Sequence, residues 1–184
     1  MENKKIEYAD DDTESVKLLL RLRLPPLAVG LVLGLALSFV VSRFEEVIAA
    51  DVSVAFFIPV IVYLAAAVGN QTQSIYTRDL KTGKANFKSY LVKESILGII
   101  LGVVFSVVIG AVLMVWFASK ELAMAVALST LGAVASAPLV ALGVTELFYK
   151  EHEDPAVAAG PIANVIQDAV SIVIYGLIAS AIIL

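Results

Sequence analysis

One acidic residue lies in the middle of the last long apolar stretch of the chain. Residues 158–179 read AAGPIANVIQDAVSIVIYGLIA, a run long enough to cross a bilayer as a helix. At helical spacing, Asp168 shares one stripe with Asn164, Ser171 and Tyr175. A carboxylate at that depth costs about 2.5–3.5 kcal/mol on insertion scales. A bound cation is the leading candidate for offsetting this cost.

The residue types near Asp168 favour a hard cation. No Lys or Arg occurs within any of the long apolar runs, so a basic partner is missing, which leaves protonation, a hydroxyl or amide network, or a metal. The chain has no Cys, one His and three Met, so the available ligands are oxygens, which suit Mg²⁺, Ca²⁺ or Mn²⁺. One Asp per chain is few for a dehydrated divalent ion. Two chains around a twofold axis would supply two carboxylates, so we expect a homodimer.

A second polar patch ends another apolar run. In the stretch GNQTQSIYTRDL, four polar residues fall on one helical face, namely Asn70, Gln73, Ser74 and Thr77. They are candidates for lining an ion path. A wet helix end at the membrane surface would have the same composition, and the sequence alone leaves that alternative open.

The composition sets the protein class. Of the 184 residues, 60% are hydrophobic and only 16% are charged, whereas a soluble domain has nearer a quarter charged residues. The chain is therefore predicted to be an all-α integral membrane protein, with the lipid bilayer as a partner and no nucleic-acid partner expected. The net charge of −4 adds little, because much of the acid lies in one N-terminal run. No paired carboxylates on one span and no nucleophile–His arrangement are found, so an enzyme is not expected.

Five apolar segments predict five transmembrane helices. They run at about 25–41, 52–73, 95–118, 122–148 and 156–184. Residues 1–24 are predicted to be a cytoplasmic acidic tail followed by an interfacial basic lead-in, and residues 25–184 a five-helix cation-transport domain, with Pro25 and Pro26 at the first helix start. In two segments small residues recur every four positions and predict close helix packing: Gly30, Gly34 and Ser38, then Gly98, Gly102, Ser106 and Gly110.

The distribution of basic residues predicts the orientation. Eleven Lys and Arg residues lie on one side of the five segments and only Arg43 and Lys120 on the other. The N-terminus is therefore expected in the cytoplasm and the C-terminus outside, in a multi-pass protein of the cell membrane. The longest polar loop, about 76–94, is too short for a soluble domain.

The second and fifth segments resemble the membrane domain of the MgtE magnesium transporter family, to which the animal solute-carrier magnesium transporters are related. The residues that carry the resemblance are Pro59, Gly69-Asn70-Gln71, Ser74 and Arg78 in the second segment, and Asp154-Pro155-Ala156, Gly160-Pro161, Asp168 and Tyr175 in the fifth. The number of spans and their orientation also resemble that family.

The resemblance implies a metal-ion pathway at a homodimer interface, lined by these two helices. Asp168 matches the acid of the central Mg²⁺ site, and Asn164 stands where the family more often has a hydroxyl. Asn70 and Gln71 match part of the asparagine motif, whose first asparagine falls on Ala67 here. The candidate metal residues are Asp168, Asn164, Asn70, Gln71, Ser74 and Asp154. Asp154 is either a residue of the cytoplasmic mouth or only a helix cap.

We therefore expect a homodimeric channel or transporter for a divalent cation, with Mg²⁺ favoured. The sequence does not decide between a channel and a coupled exchanger. Family members often carry large cytoplasmic sensor domains; residues 1–24 are too short for one, so gating is expected in the membrane helices, the tail or a partner. The alternative function is a non-transporting assembly or anchoring subunit whose polar stripe binds partner helices.

Overall fold

The computed structural model describes residue 6 and residues 12–184, and every regular element in that part of the chain is a helix. The elements are α1 (Val16–Ser42), α2 (Glu45–Ala50), α3 (Ser53–Lys81), α4 (Phe87–Trp116), α5 (Lys120–Lys150) and α6 (Pro155–Ile183). All except the short α2 are long and apolar enough to cross a membrane. The five predicted spans are confirmed, and the chain is a multi-pass membrane protein.

Polar side chains define where most of the long helices begin. The side chains of Ser15, Asn86, Ser119 and Asp154 accept hydrogen bonds from the first-turn N–H groups of α1, α4, α5 and α6. The first turn of a helix has N–H groups without intrahelical partners, and short polar side chains satisfy them. These caps fix the helix starts more closely than the edges of the apolar runs do.

The first helix starts earlier than its prolines predicted. α1 begins at Val16, and Pro25 and Pro26 lie inside it. Ser15 supplies a start by accepting a hydrogen bond from Leu18 N at 3.3 Å, and the Leu and Arg residues that follow are strong helix formers. The basic lead-in is therefore the first part of α1. Most of the acidic tail predicted before it lies outside the described residues.

The predicted polar loop at 76–94 is also mostly helical. α3 continues to Lys81 and α4 begins at Phe87, which leaves only residues 82–86 as a connection. Two contacts hold the extended helix ends together: the Tyr90 hydroxyl donates to Asp79 Oδ2 at 2.5 Å, and the rings of Tyr76 and Tyr90 lie 4.8 Å apart. Side-chain pairing across the connection therefore prolongs both helices beyond their apolar runs.

α5 is the central helix, and it packs against α3, α4 and α6. The glycines of α4 make one of these contacts close: a Cβ on Gly98 would lie 3.0 Å from the Ala135 carbonyl oxygen, and one on Gly102 would lie 2.9 Å from that of Leu131. Packing through small residues is thus confirmed for α4. On α1, which packs against α6, Gly30 approaches Pro161, whereas Gly34 has no neighbour within 4 Å.

These contacts give the direction of each helix. α3 and α5 run parallel, since Gly69 meets Ala137 and Tyr76 meets Glu146, and α6 runs opposite to both. One end of the bundle therefore holds the connections 82–86 and 151–154, and we call it the basic end because Lys81, Lys84 and Lys150 lie there. Large apolar side chains cover the outer surfaces of α1 and α4, which suits contact with lipid.

Candidate functional site

The polar stripe of α6 divides into two environments. Asn164 is exposed and Asp168 is half-buried, whereas Ser171 and Tyr175 are fully enclosed by the protomer. We call Asn164 and Asp168 the open face of α6, and Ser171 and Tyr175 its closed face. The stripe is continuous along the helix, but neighbouring helices cover only its second half.

The closed face has its hydrogen bonds satisfied within the bundle. The Tyr175 hydroxyl donates to the Val54 carbonyl oxygen at 2.8 Å and so joins α6 to the start of α3. Ser171 accepts a hydrogen bond from the side-chain amide of Gln167 at 3.1 Å. One turn beyond Ser171, the ring of Phe44 fills the space that a Cβ on Gly176 would need. These residues hold helices together.

Asp168 has no such partner. No hydrogen bond or charge from the described residues acts on its carboxylate. Two other acids in the long helices do have partners: Glu94 accepts from the Thr72 hydroxyl at 2.7 Å, and Glu146 accepts from the Tyr76 hydroxyl at 2.6 Å. Glu146 also pairs with Lys150 at 3.0 Å. Asp168 thus lies in the middle of a spanning helix, and no described residue of the same protomer compensates its charge.

The polar patch of α3 lies at the edge of the helix interface. Asn70, Gln71 and Ser74 are exposed, whereas Gln73 and Thr77 are buried. The four predicted residues Asn70, Gln73, Ser74 and Thr77 do share one face of α3, but the packing of α5 and α6 against α3 divides that face. Its outer half is available to another chain or to water, and its inner half is enclosed.

α3 and α6 approach each other at this patch. Asn70 and Asn164 line one cleft between the two helices, and Gln73 and Gln167 line it with them. Close approach depends on small residues: a Cβ on Gly160 would lie 3.5 Å from Gln73 Nε2, and one on Gly69 would lie 3.5 Å from the Ala137 carbonyl oxygen. The structure therefore brings two of the predicted site residues, Asn70 and Asn164, to one amide-lined cleft.

The remaining predicted residues are arranged differently. Asp168 lies one turn beyond Asn164 on the open face, and Gln71 and Ser74 lie on the exposed side of α3. Asp154 is buried at the start of α6, where its side chain accepts from Ala156 N at 3.0 Å. Its role as a helix cap is thus visible, and this capping holds the first turn of α6 in place at the basic end.

Three polar contacts were not expected from the sequence. Gln167 of α6 donates a hydrogen bond to α5, Glu94 accepts one from Thr72, and Glu146 accepts one from Tyr76. A signal for Gln167 was present, since it lies in the apolar run directly before Asp168 and four residues before Ser171. The two glutamates gave no such signal, because acids near helix ends are ordinarily solvated.

The described part of one protomer does not bring several acidic, His or Cys ligands together. Among the described residues, no group of three or more His, Cys, Asp or Glu side chains lies close enough together to hold a metal ion. What one chain offers is a single carboxylate, with amide and hydroxyl oxygens one to two turns away. Such a set can attract a hydrated divalent cation, but further ligands, from water or a second chain, are needed to complete its coordination shell.

Comparison with known proteins identifies the family of this chain. Residues 58–178 match the MgtE family, described as divalent cation transporter. The magnesium transporter MgtE of Bacillus subtilis is 30% identical over 162 residues and that of Enterococcus faecalis 32% over 161, each match covering 86% of this chain and 36% of the relative. The magnesium transporter MgtE of Thermus thermophilus is 27% identical over 153 residues, 81% of this chain and 34% of the relative.

The chain thus spans about a third of the length of these relatives. The match includes α4 and α5 entirely and most of α3 and α6, and so contains most of both polar helices. These relatives are described as transporters, which agrees with the expectation that the chain is not an enzyme. The chain belongs to the MgtE family of divalent cation transporters.

Proposed function

We propose that two copies of this chain form a path through which Mg²⁺ crosses the membrane, with Asp168 of each copy at the centre. The observation that carries the proposal is the uncompensated carboxylate of Asp168 on the open face of α6. A carboxylate in the middle of a spanning helix is costly and marks an ion pathway by default. A divalent cation would compensate two such carboxylates, one from each copy.

The outer polar residues support a dimer. Asn70, Gln71, Ser74 and Asn164 are all exposed on one protomer, although they belong to helices that span the membrane. Polar side chains at such positions face a bundle interior or a water-filled cavity and not lipid. A second protomer packed against α3 and α6 would turn this surface into an enclosed, hydrated path.

The donor set fits a partly hydrated Mg²⁺ ion. Mg²⁺ loses its water reluctantly and is usually bound through one or two carboxylates while it keeps several waters. Asp168 would attract the ion, and the oxygens of Asn164, Asn70, Gln71 and Ser74 would accept hydrogen bonds from its water. Asp154 has a second proposed role at the path mouth, in addition to capping α6. Weak, multiple contacts allow an ion to leave as well as enter.

The direction of transport follows from the charges at the two ends. Lys81, Lys84 and Lys150 lie at the basic end, and the predominance of Lys and Arg on that side supports a cytoplasmic position for this end. The N-terminus would then be cytoplasmic and the C-terminus outside, and the inside-negative membrane potential would drive the ion inward. The proposed homodimer therefore conducts Mg²⁺ toward the cytoplasm.

The test is flux into liposomes that contain the purified chain and a Mg²⁺-sensitive dye. Wild-type protein should give Mg²⁺ entry, and Asp168→Asn should reduce it at least about tenfold, since a neutral amide loses the charge attraction to the ion. Glu46→Gln is the matched control: it also neutralises one acid, but on the exposed surface of α2, and its flux should equal that of wild type.

Two outcomes would contradict the proposal. Equal flux from wild type and Asp168→Asn would remove Asp168 from the path. Wild-type protein that carries no divalent cation would instead favour the assembly or anchoring subunit.

Two further measurements test the dimer and the type of transport. Crosslinking in membranes should capture dimers through the exposed side of α3 or α6. Flux that requires a Na⁺ or H⁺ gradient would identify an exchanger and not a channel.

A further inference from the structure

The side chain of Gln167 combines deep burial with an incomplete set of hydrogen bonds. It is only 3% exposed and lies on α6 directly before Asp168. Its Nε2 group donates to the Ala133 carbonyl oxygen at 3.1 Å and to Ser171 Oγ at 3.1 Å, and it lies 3.4 Å from Ser136 Oγ. The amide nitrogen thus joins α6 to α5.

The orientation of this amide is fixed by chemistry. A backbone carbonyl oxygen accepts hydrogen bonds and cannot donate them, so the group that faces Ala133 must be the NH₂ group. The other end of the amide is therefore the carbonyl oxygen, Oε1. It is buried and has no hydrogen-bond partner among the described residues.

A buried carbonyl oxygen without a partner is costly. Leaving such a group unsatisfied costs about 1–3 kcal/mol, and most buried polar atoms in proteins have a partner. The contact to α5 uses only the Nε2 end of the side chain and leaves Oε1 without a role in joining the helices. The unpartnered Oε1 is therefore an independent sign of a ligand.

Gln167 lines the cleft between α3 and α6 that Asn70, Gln73 and Asn164 also line. The other residues that line the cleft are glycine or alanine, namely Gly69, Ala66, Ala137, Ala141 and Ala163. Small apolar residues leave the four amides as the polar groups of the cleft. Amide oxygens bind hard cations directly or accept hydrogen bonds from their water.

We propose that Gln167 is a specificity-determining residue of the ion path, whose Oε1 accepts a hydrogen bond from the water shell of the passing divalent cation at the amide-lined cleft. This inference rests on the proposed function. It extends the path from the open face of α6, where Asp168 attracts the ion, to the side of α6 that faces α3 and α5. Because Nε2 is hydrogen-bonded to α5, Oε1 is held in a fixed position, where it can accept a hydrogen bond from a water molecule bound to the ion.

The experiment compares variants that separate the two ends of the amide. Gln167→Met removes both ends at nearly constant volume, Gln167→Glu keeps an acceptor oxygen but loses the donor, and Ser171→Ala removes only a partner of Nε2. Flux of Mg²⁺ and of Ca²⁺ is measured in liposomes and divided by the amount of folded protein. Thermal unfolding with and without Mg²⁺ is measured in parallel.

Gln167→Met should lower Mg²⁺ flux about tenfold, as for the loss of one hydrogen bond to a charged hydrated ligand. Its ratio of Mg²⁺ to Ca²⁺ flux should also fall, because Mg²⁺ holds its water more tightly than Ca²⁺ and depends more on contacts made through water. Gln167→Glu should keep Mg²⁺ flux within about threefold of wild type despite losing the donor. Ser171→Ala should change stability but not the flux ratio.

An unchanged flux ratio in Gln167→Met, with Asp168→Asn still blocking flux, would overturn this inference and leave the proposed function standing. Equal losses of flux for both ions in all three variants would show that Gln167 acts only by joining α5 and α6. The Mg²⁺-dependent rise in unfolding temperature gives a second readout: it should shrink in Gln167→Met, and a full-sized rise would exclude Gln167 as a contact of the ion. Wild-type protein without flux would overturn both proposals together.

Discussion

The open and closed faces of α6 both carry polar residues, but in opposite environments. On the closed face, Tyr175 bonds the Val54 carbonyl oxygen and Ser171 accepts from Gln167, so each has its partner inside one protomer. On the open face, Asn164 is exposed and Asp168 has no partner among the described residues. The two faces therefore differ in what satisfies their polar groups: the protomer itself on the closed face, and water, an ion or another chain on the open face.

This difference separates stability from transport along one helix. Polar groups with partners within the bundle hold α6 against α3 and α5, and their loss should weaken folding. Polar groups without such partners do not stabilise the fold of one chain, and a buried charge among them opposes folding, but they are free to bind an ion. If this division is correct, substitutions on the two faces should affect different measurements.

The largest effect is expected for Asp168→Asn when no divalent cation is present. Neutralising a half-buried carboxylate should raise the free energy of unfolding by about 2 kcal/mol, because the cost of burying the charge disappears. Added Mg²⁺ should then stabilise wild type and have little effect on the variant. Thermal unfolding in detergent checks both points. A loss of stability in the variant without metal would show that Asp168 has a structural partner.

A smaller effect with the opposite pattern is expected for Tyr175→Phe. The variant loses the hydrogen bond to the Val54 carbonyl oxygen, and buried bonds of this kind in membrane proteins contribute about 0.6 kcal/mol on average and up to about 1.7 kcal/mol. Unfolding should begin at a lower temperature, while Mg²⁺ flux per folded protein stays at the wild-type level. A selective loss of flux would break the division between the two faces.

The smallest effect is expected for Asn164→Ala. An exposed amide one turn from Asp168 should contribute one contact to a hydrated ion, so its loss should reduce Mg²⁺ flux about threefold and leave the unfolding temperature unchanged. Measuring flux and unfolding on the same preparation checks this. A drop in unfolding temperature as large as that of Tyr175→Phe would show that Asn164 stabilises the fold, as the residues of the closed face do.

The sequence predicted the number of spans and drew attention to Asp168 because both depend on local hydrophobicity. The position of Asp168 within a long apolar run was enough to single it out. The same reasoning placed the first helix start at Pro25, which was wrong, because proline position is a weaker signal than the Ser15 cap and the Leu-rich segment behind it. Local caps and propensities decide helix ends, and apolar runs decide only their centres.

The division of each polar stripe could not be predicted from one sequence. Helical spacing showed that Asn70, Gln73, Ser74 and Thr77 share one side of α3, but which of them is buried depends on where α5 and α6 pack. The partner of Glu146 is Tyr76, seventy positions away along the chain, and no local pattern indicates such a pairing. Predicting these contacts requires the helix arrangement, which follows from the close approaches at Gly69, Gly98 and Gly102.

The packing of α1 against α6 has a consequence for the order of assembly. Among the described spanning helices, α1 leaves the ribosome before α6, against which it packs, so α1 is without that contact for roughly ten seconds at ordinary synthesis rates. Its lack of any buried residue fits this delay, because a helix with a long apolar segment is stable alone in lipid. The contact between Gly30 and Pro161 is therefore among the last to form, and it closes the bundle only after the polar helices have packed together.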